Sequence, residues 1–265
     1  RMPAIIGNPI ITNTDNINDE LIWYSPLDAT DNQGGGRKGG ALSDIIRYNF
    51  NTYPALANEF SSEYDGYISA SGVITSGVIL DSNYYGEPDS SYKFDASDDS
   101  YVTFNNNLFD ACDDFTLGLT IKPLSVDATR DPYTVLHCKN SENKDSILIE
   151  ITSSTELTVT IADGKAYSKF LSFTDTYTDV VICKDGEDIR IYSGDTGSTL
   201  NKLRMNLEPV LDPVEVISTR MGQSLDGDNQ FLGNIADMFI SAYTIPSSEE
   251  TLVNYYVIKN PTDRQ

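Results

Sequence analysis

SILIEITSSTELTVTIADGK, residues 146–165, decides the fold. Ile147, Ile149 and Ile151 recur at every second position, and so do Leu157, Val159 and Ile161. Successive side chains of a strand point to opposite faces, so a spacing of two collects these residues on one face of two neighbouring strands. The opposite face carries Leu148, Glu150 and Thr152. A strand that is apolar on one side and polar on the other belongs to an antiparallel sheet with one face turned to water. The run ends in ADGK, residues 162–165, and a second such signal, KDGE, stands at 184–187. Asp-Gly between two apolar runs marks a tight hairpin, because glycine accepts the positive φ that such a turn requires.

The same texture extends in both directions. Runs rich in Val, Ile, Tyr, Phe and Thr are predicted as strands at Ser91–Asp95, Tyr101–Phe104, Phe115–Lys122, Tyr133–Cys138, Ser146–Thr152, Glu156–Ala162, Lys165–Ser172, Asp179–Lys184 and Asp188–Ser193. Each is closed by Asp, Asn, Gly or Ser, so the chain reads as a large all-β, two-sheet antiparallel sandwich. Toward the end, TRMGQSLDGDNQFLGNIADMFISAYTIPSSEETLVNYY, residues 219–256, reads as strand, acidic loop, strand and short closing helix. Val214–Arg220 is the first strand, Asp226–Asn229 the acidic turn, and Gly233 opens a longer strand to Tyr243. Ser247 or Ser248 caps the helix, Glu249 and Glu250 suit its positive end, and Leu252, Val253 and Tyr256 form its apolar side.

The early part of the chain is less regular. Residues 1–20, RMPAIIGNPIITNTDNINDE, read as an extended arm: Ile5, Ile6, Ile10 and Ile11 stand among Pro3, Gly7 and Pro9, too broken for a helix. Such an arm is either an unstructured leader or a strand that lays its isoleucines on a partner. The domain proper is placed at 21–265, opening with LIWYSPLDA, whose Trp23 is assigned to core packing. An insertion at about 30–75 begins with the Asp-, Asn-, Gln- and Gly-rich TDNQGGGRKGG. It continues through Ile45, Ile46 and Phe50, then Leu56 and Phe60, spaced as one or two short helices broken at Pro54.

Composition excludes several classes of function. The 265 residues carry 40 Asp and Glu against 18 Lys and Arg, a formal net charge of −22. That excess repels phosphate backbones and anionic lipid, which argues against nucleic-acid and membrane-surface binding. No apolar run approaches the roughly 18 residues needed to span a bilayer, and no secretory leader is legible. The chain opens on Arg1, which leaves room for a segment removed upstream. Cys112, Cys138 and Cys183 are an odd number without metal or redox spacing, so no disulfide framework is expected.

Taken together, YKFDASDDSYVTF, DDFTLGLTIKP, SILIEITSSTELTVTIADG, DVVICKDGEDIRIYSGD and FLGNIADMFISAYTIPSSEE resemble, in order and spacing, the concanavalin A-like lectin/glucanase superfamily. The laminin G-like and pentraxin-like members are the nearest in pattern. The resemblance spans about residues 21–256 and implies a jelly roll whose first strand, LIWYSPLD, pairs near the last, ADMFISAY. Glycan-cleaving relatives carry two carboxylates on one strand as Glu-x-Asp-x-Glu or Glu-x-Asp-x-x-Glu, so that one acts as nucleophile and the other as acid. This chain has no such spacing; Glu150 stands alone on its strand, and His137, the sole histidine, has no evident partner in sequence. The chain is therefore read as no enzyme.

The resemblance implies instead a calcium site. Asp145 corresponds to an aspartate preceding a strand like SILIEI; Asp226 and Asn229 correspond to the acidic cluster before FLGNI, with Asp228 adding an oxygen. Calcium requires several such oxygens drawn from more than one loop. Ser224 and Leu225 stand where relatives offer Glu and Gln, so the alternative is a solvated acidic hairpin. A cell-surface glycan would be met by an exposed aromatic platform, for which Tyr64, Tyr67, Tyr84 and Tyr85 are candidates. The arm, the acidity and the lack of a catalytic pair fit a structural attachment protein working with protein partners in a larger assembly. A virus or phage surface component (capsid decoration, fibre or tail protein) is expected, at the virion surface or otherwise extracellular. The alternative is an extracellular calcium-dependent carbohydrate-binding or adhesion module.

Overall fold

The computed structural model describes residues 45–49, 72–74, 77–84, 86, 88, 91–95, 100–104, 109–112, 114–124, 132–162, 164–169, 175–196, 200–202, 204–208, 210 and 214–241. Among these residues there are eighteen strands: β1 (Ile45–Asn49), β2 (Gly72–Ile74), β3 (Val78–Asp81), β4 (Ser91–Phe94), β5 (Val102–Phe104), β6 (Phe109–Cys112), β7 (Phe115–Pro123), β8 (Tyr133–Lys139), β9 (Asp145–Ser153), β10 (Glu156–Ile161), β11 (Gly164–Lys169), β12 (Thr178–Asp185), β13 (Asp188–Asp195), β14 (Asn201–Lys202), β15 (Arg204–Glu208), β16 (Val214–Val216), β17 (Ser218–Met221) and β18 (Gly233–Ser241). They pair antiparallel into two large sheets. The first has the order β14, β13, β12, β7, β18, β4, β3, with β1 also on β18; the second runs β15, β11, β10, β9, β8, β17, β5, β2; β16 and β6 form a separate ribbon.

The alternation that decided the fold is borne out in the packing. Ile147, Ile149 and Ile151 on β9 and Leu157, Val159 and Ile161 on β10 are buried, and they meet in register as Ile161↔Ile147, Val159↔Ile149 and Leu157↔Ile151. Facing them from the first sheet are Leu117, Leu119 and Ile121 of β7, Val180 and Ile182 of β12, and Ile189 and Ile191 of β13, in one hydrophobic cluster. Two sheets with one apolar face each can hide those faces only against one another, which makes the sandwich.

At β18 the first sheet changes partners. Gly233–Ile235 pairs with β4 on one side, and Asp237–Ser241 pairs with β1, while β7 runs along the other side throughout. The register against β7 slips between Ile235 and Asp237, leaving Ala236 as the extra residue of a bulge. A bulge bends its strand and twists it locally, and here it marks the point where one neighbour ends and the next begins.

Several local expectations are corrected. Ile45 and Ile46, read as helical, belong to β1 and pair with Ser241 and Ile240, so the described start of the insertion is sheet. Tertiary pairing overrides a weak local helical pattern here, because a β-branched pair fits a pleated surface well. The described partners of the last strand are β1, β4 and β7; LIWYSPLD, the arm 1–20 and the capping signal at 247–256 lie outside the described residues. At KDGE the hairpin forms, but Asp185 pairs with Asp188, so Gly186, at φ 55°, takes the first turn position rather than the second. Val214–Arg220 divides in two at the exposed Ile217, where the chain leaves the ribbon for the second sheet. Strands β2, β3, β6, β14 and β15 were not legible as strands from their short sequences. Cys138 and Cys183 are buried thiols outside any disulfide, and each accepts a hydrogen bond from a threonine hydroxyl, Thr219 and Thr116 respectively.

Candidate functional site

The outer face of the second sheet, away from the core, carries the residues with chemistry. Cross-strand partners share a face. One row therefore runs Thr103, Arg220, His137, Leu148, Thr160 across β5, β17, β8, β9 and β10, and another runs Thr134, Glu150, Thr158. Over this face folds the loop 222–230, part of the segment between β17 and β18, containing the acidic cluster singled out above.

Both ends of that loop are fastened. At one end the Gly222 amide donates to the Val135 carbonyl at 3.0 Å, continuing the pairing of β17 with β8; at the other, Phe231 donates back to the Gly222 carbonyl at 2.8 Å. Phe231 is fully buried, edge-on to Phe94 and Tyr133 with ring centroids 5.7 and 6.2 Å away. Gly222 sits at φ 89°, and a Cβ there would overlap the Phe94 ring, so only glycine fits. Within the loop Ser224 N–H donates to the Asp228 carbonyl (3.0 Å), Asp228 N–H to Ser224 Oγ (3.0 Å), and Gln223 Nε2 to the Gly227 carbonyl (2.9 Å). Asn229 adopts φ 56°, a conformation Asn tolerates better than most, and its carbonyl accepts from Thr134 N–H at 2.8 Å.

The loop is then held to the sheet face by side chains. His137, with 3% of its side chain exposed, accepts at Nδ1 from the Leu225 amide (3.0 Å) and lies 2.8 Å through Nε2 from Asp145 Oδ1. Since Nδ1 receives a proton donor, the Nε2 hydrogen is the one given to Asp145, which fixes the tautomer. Lys139, 9% exposed, places Nζ 2.7 Å from Asp226 Oδ1, and that bond holds the Asp226 carboxyl below its ordinary value. Arg220 lies with Cζ 4.1 Å above the Tyr101 ring and donates through Nη1 to the Ser224 carbonyl at 3.0 Å. Asn229 Nδ2 reaches Glu150 Oε1 at 3.4 Å, and burial pushes the Glu150 carboxyl upward, outweighing that bond.

Asp145 meets His137 and Asp226 meets Lys139, two residues apart on β8, while Asn229 reaches Glu150 instead. As folded, this set does not fit calcium. Asp226 already faces a nearly buried ammonium, Asp145 faces an imidazole N–H, and Asn229 turns its amide nitrogen toward Glu150. Among the described residues no three His, Cys, Asp or Glu side chains gather closely enough to hold a metal. The groups that complement these carboxylates are the protein's own, the Lys139 ammonium at Asp226 and the His137 N–H at Asp145. His137, Lys139, Arg220 and the threonines beside Glu150 were missed from sequence; YTVLHCK does set His137 and Lys139 two apart, but nothing in it says which loop covers them. Of the aromatic candidates, Tyr84 is exposed, at 47%; Tyr64, Tyr67 and Tyr85 lie outside the described residues.

No protein-family model matches the sequence, and no curated protein matches it either. Solved structures do match. The botulinum neurotoxin serotype G binding domain superposes with a TM-score of 0.59 at 16% identity, covering 80% of this chain and 50% of that one. The binding domain of Paraclostridial Mosquitocidal Protein 1 gives 0.58 at 11%, covering 80% and 52%. Domain 4 of AbnA, an extracellular GH43 arabinanase from Geobacillus stearothermophilus solved in complex with arabinotriose, gives 0.54 at 15%, covering 78% and 98%. The likeness is one of fold. The chain spans about half the length of the toxin binding domains it matches and nearly all of the arabinanase domain. These neighbours share the β-sandwich; they do not single out the concanavalin A-like superfamily.

Proposed function

We propose that this chain is a non-catalytic, lectin-like attachment module that binds glycan through the outer face of its second sheet, without calcium. The observation that carries the reading is the docked loop 222–230, clasped to the outer face by His137 and Lys139, which sets Asn229 beside a half-buried Glu150 on a sandwich of this fold. Two of the structural neighbours support it: domain 4 of the arabinanase was solved with arabinotriose, and a botulinum neurotoxin serotype D ligand-binding domain with N-acetylneuraminic acid. Hydrolysis fits the face poorly. Asp145 and Glu150 are five residues apart on β9, which is not the Glu-x-Asp-x-Glu or Glu-x-Asp-x-x-Glu spacing of the glycan-cleaving strand.

In this reading the module is displayed by a larger assembly, at a virion surface or otherwise extracellularly, with the arm 1–20 as a route of attachment to protein partners. The acidic surface, net charge −22, keeps such a module soluble and off nucleic acid. A glycan array probed with the full chain, once in calcium and once in chelator, tests the binding. Retention of one glycan class in both conditions is expected; retention only in calcium overturns the calcium-free reading, and no retention overturns glycan binding. Size exclusion of native source material tests assembly, with co-elution at fixed stoichiometry expected and a free monomer refuting it.

A further inference from the structure

We propose that the row Thr134–Glu150–Thr158, with Asn229 beside it, is a subsite for one uncharged, hydroxyl-bearing ring of a glycan. The inference rests on the glycan-binding reading above and names its ligand class. Thr134 and Thr158 flank Glu150 directly, one on β8 and one on β10, on the outer face. Their residues are 0% and 4% exposed, and neither hydroxyl has a hydrogen-bond partner among the described residues. Buried hydroxyls nearly always have one. Two orphans on either side of a single carboxylate are hydrogen-bonding capacity left over by the fold.

Glu150 itself is incompletely satisfied. Its one hydrogen bond among the described residues is the long 3.4 Å contact from Asn229 Nδ2, while desolvation raises its carboxyl. Asn229 is held by its backbone, through its carbonyl and Thr134 N–H, so its side-chain amide swings clear without unseating the loop. A ligand that displaces this weak bond reaches Glu150 and the threonines on either side of it.

The chemistry of the row selects the ligand. A carboxylate accepts hydrogen bonds only, whereas each threonine hydroxyl both donates and accepts. A vicinal diol matches this set, giving its protons to Glu150 and receiving those of the threonines. An ammonium would satisfy Glu150 but leave both hydroxyl protons unmet, and Lys165 and His137 already act on Glu150 as nearby positive or polar groups. An acidic sugar would meet Glu150 and Asp145 and a chain of net charge −22.

The test titrates the full chain by calorimetry with arabinotriose, cellotriose and laminaritriose as neutral probes, a galacturonic acid trimer as the acidic one and a glucosamine trimer as the cationic one. A neutral trimer is expected to bind best. Glu150→Gln should then lose at least about tenfold in affinity, the size of one charge-assisted hydrogen bond, and Thr158→Val at least about threefold. Exposed Glu142→Gln, in the β8–β9 turn, should bind as wild type. Unfolding midpoints measured on the same samples separate lost binding from lost fold. Wild-type affinity in both Glu150→Gln and Thr158→Val overturns the subsite while leaving glycan binding intact, and preference for the acidic or cationic trimer overturns the ligand class. Binding to none of the trimers or to any arrayed glycan overturns the module reading and this inference with it.

Discussion

Replacing His137 with alanine should loosen the loop 222–230 and leave the sandwich standing. Its ring makes two bonds of different kinds. At Nδ1 it accepts the Leu225 amide, a backbone donor it shields from water; at Nε2 it meets Asp145, whose side chain is 48% exposed. Losing the first leaves a shielded N–H without a partner, which costs about 1–3 kcal/mol, and the emptied ring volume raises the total to about 2–4 kcal/mol. Losing only the second lets water replace the imidazole, so Asp145→Ala should cost about 1 kcal/mol or less. Asparagine at 137 places an oxygen near the position of Nδ1, and His137→Asn should recover about 1 kcal/mol relative to alanine. Urea unfolding gives the three stabilities, and native-state hydrogen exchange reads the Leu225 amide directly, where protection should fall in His137→Ala and persist in Asp145→Ala. Equal costs for His137→Ala and Asp145→Ala, or unchanged Leu225 exchange in the former, would refute the assignment of the ring as the clasp of this loop.

Glu150 predicts a pH dependence. Burial raises its folded carboxyl above the ordinary value of 4.5, so its contribution to stability is present below that value and declines as pH rises through the folded one. Glu150→Gln should therefore be at least as stable as wild type at neutral pH and lose that advantage near pH 4, read from urea midpoints across pH; a variant that is less stable at pH 7 contradicts this. Gly222→Ala forces a side chain into the left-handed region and into the Phe94 ring, and should cost about 2–5 kcal/mol by the same measurement. A cost under about 1 kcal/mol would show that the loop entry is not as tight as described. Ile149→Ala, fully buried, should cost about 2–5 kcal/mol, and Leu148→Ala on the outer face clearly less; similar costs would contradict the assigned faces of β9.

The core was legible because its signal is local. In β9 and β10 the period of two names the buried residues outright, and all six lie in the interior. The candidate site was legible only in outline. Asp145 and Asp226 are bound by His137 and Lys139 of β8, and those two lie 88 and 87 residues from the loop groups they bind. Ile45 and Ile46 misled because two isoleucines suit a helix turn and a strand equally, and the edge of β18 beyond the Ala236 bulge settles the matter by pairing.

What the sequence determined by itself was the class of structure and the inward faces of its long strands, since a strand's alternation acts over a few residues. It marked the two Asp-Gly hairpins, but at 162–165 the turn falls one residue earlier, with Ala162 at φ 48° and Gly164 already paired with Ile161. Tertiary structure alone decided which strands became neighbours, and with them the two rows of the outer face, the clasp of Leu225 by His137 and the pairing of Asp226 with Lys139. Register is the reason: shifting β8 one residue against β9 would send His137 and Lys139 to the opposite face, and no short stretch of chain records that choice.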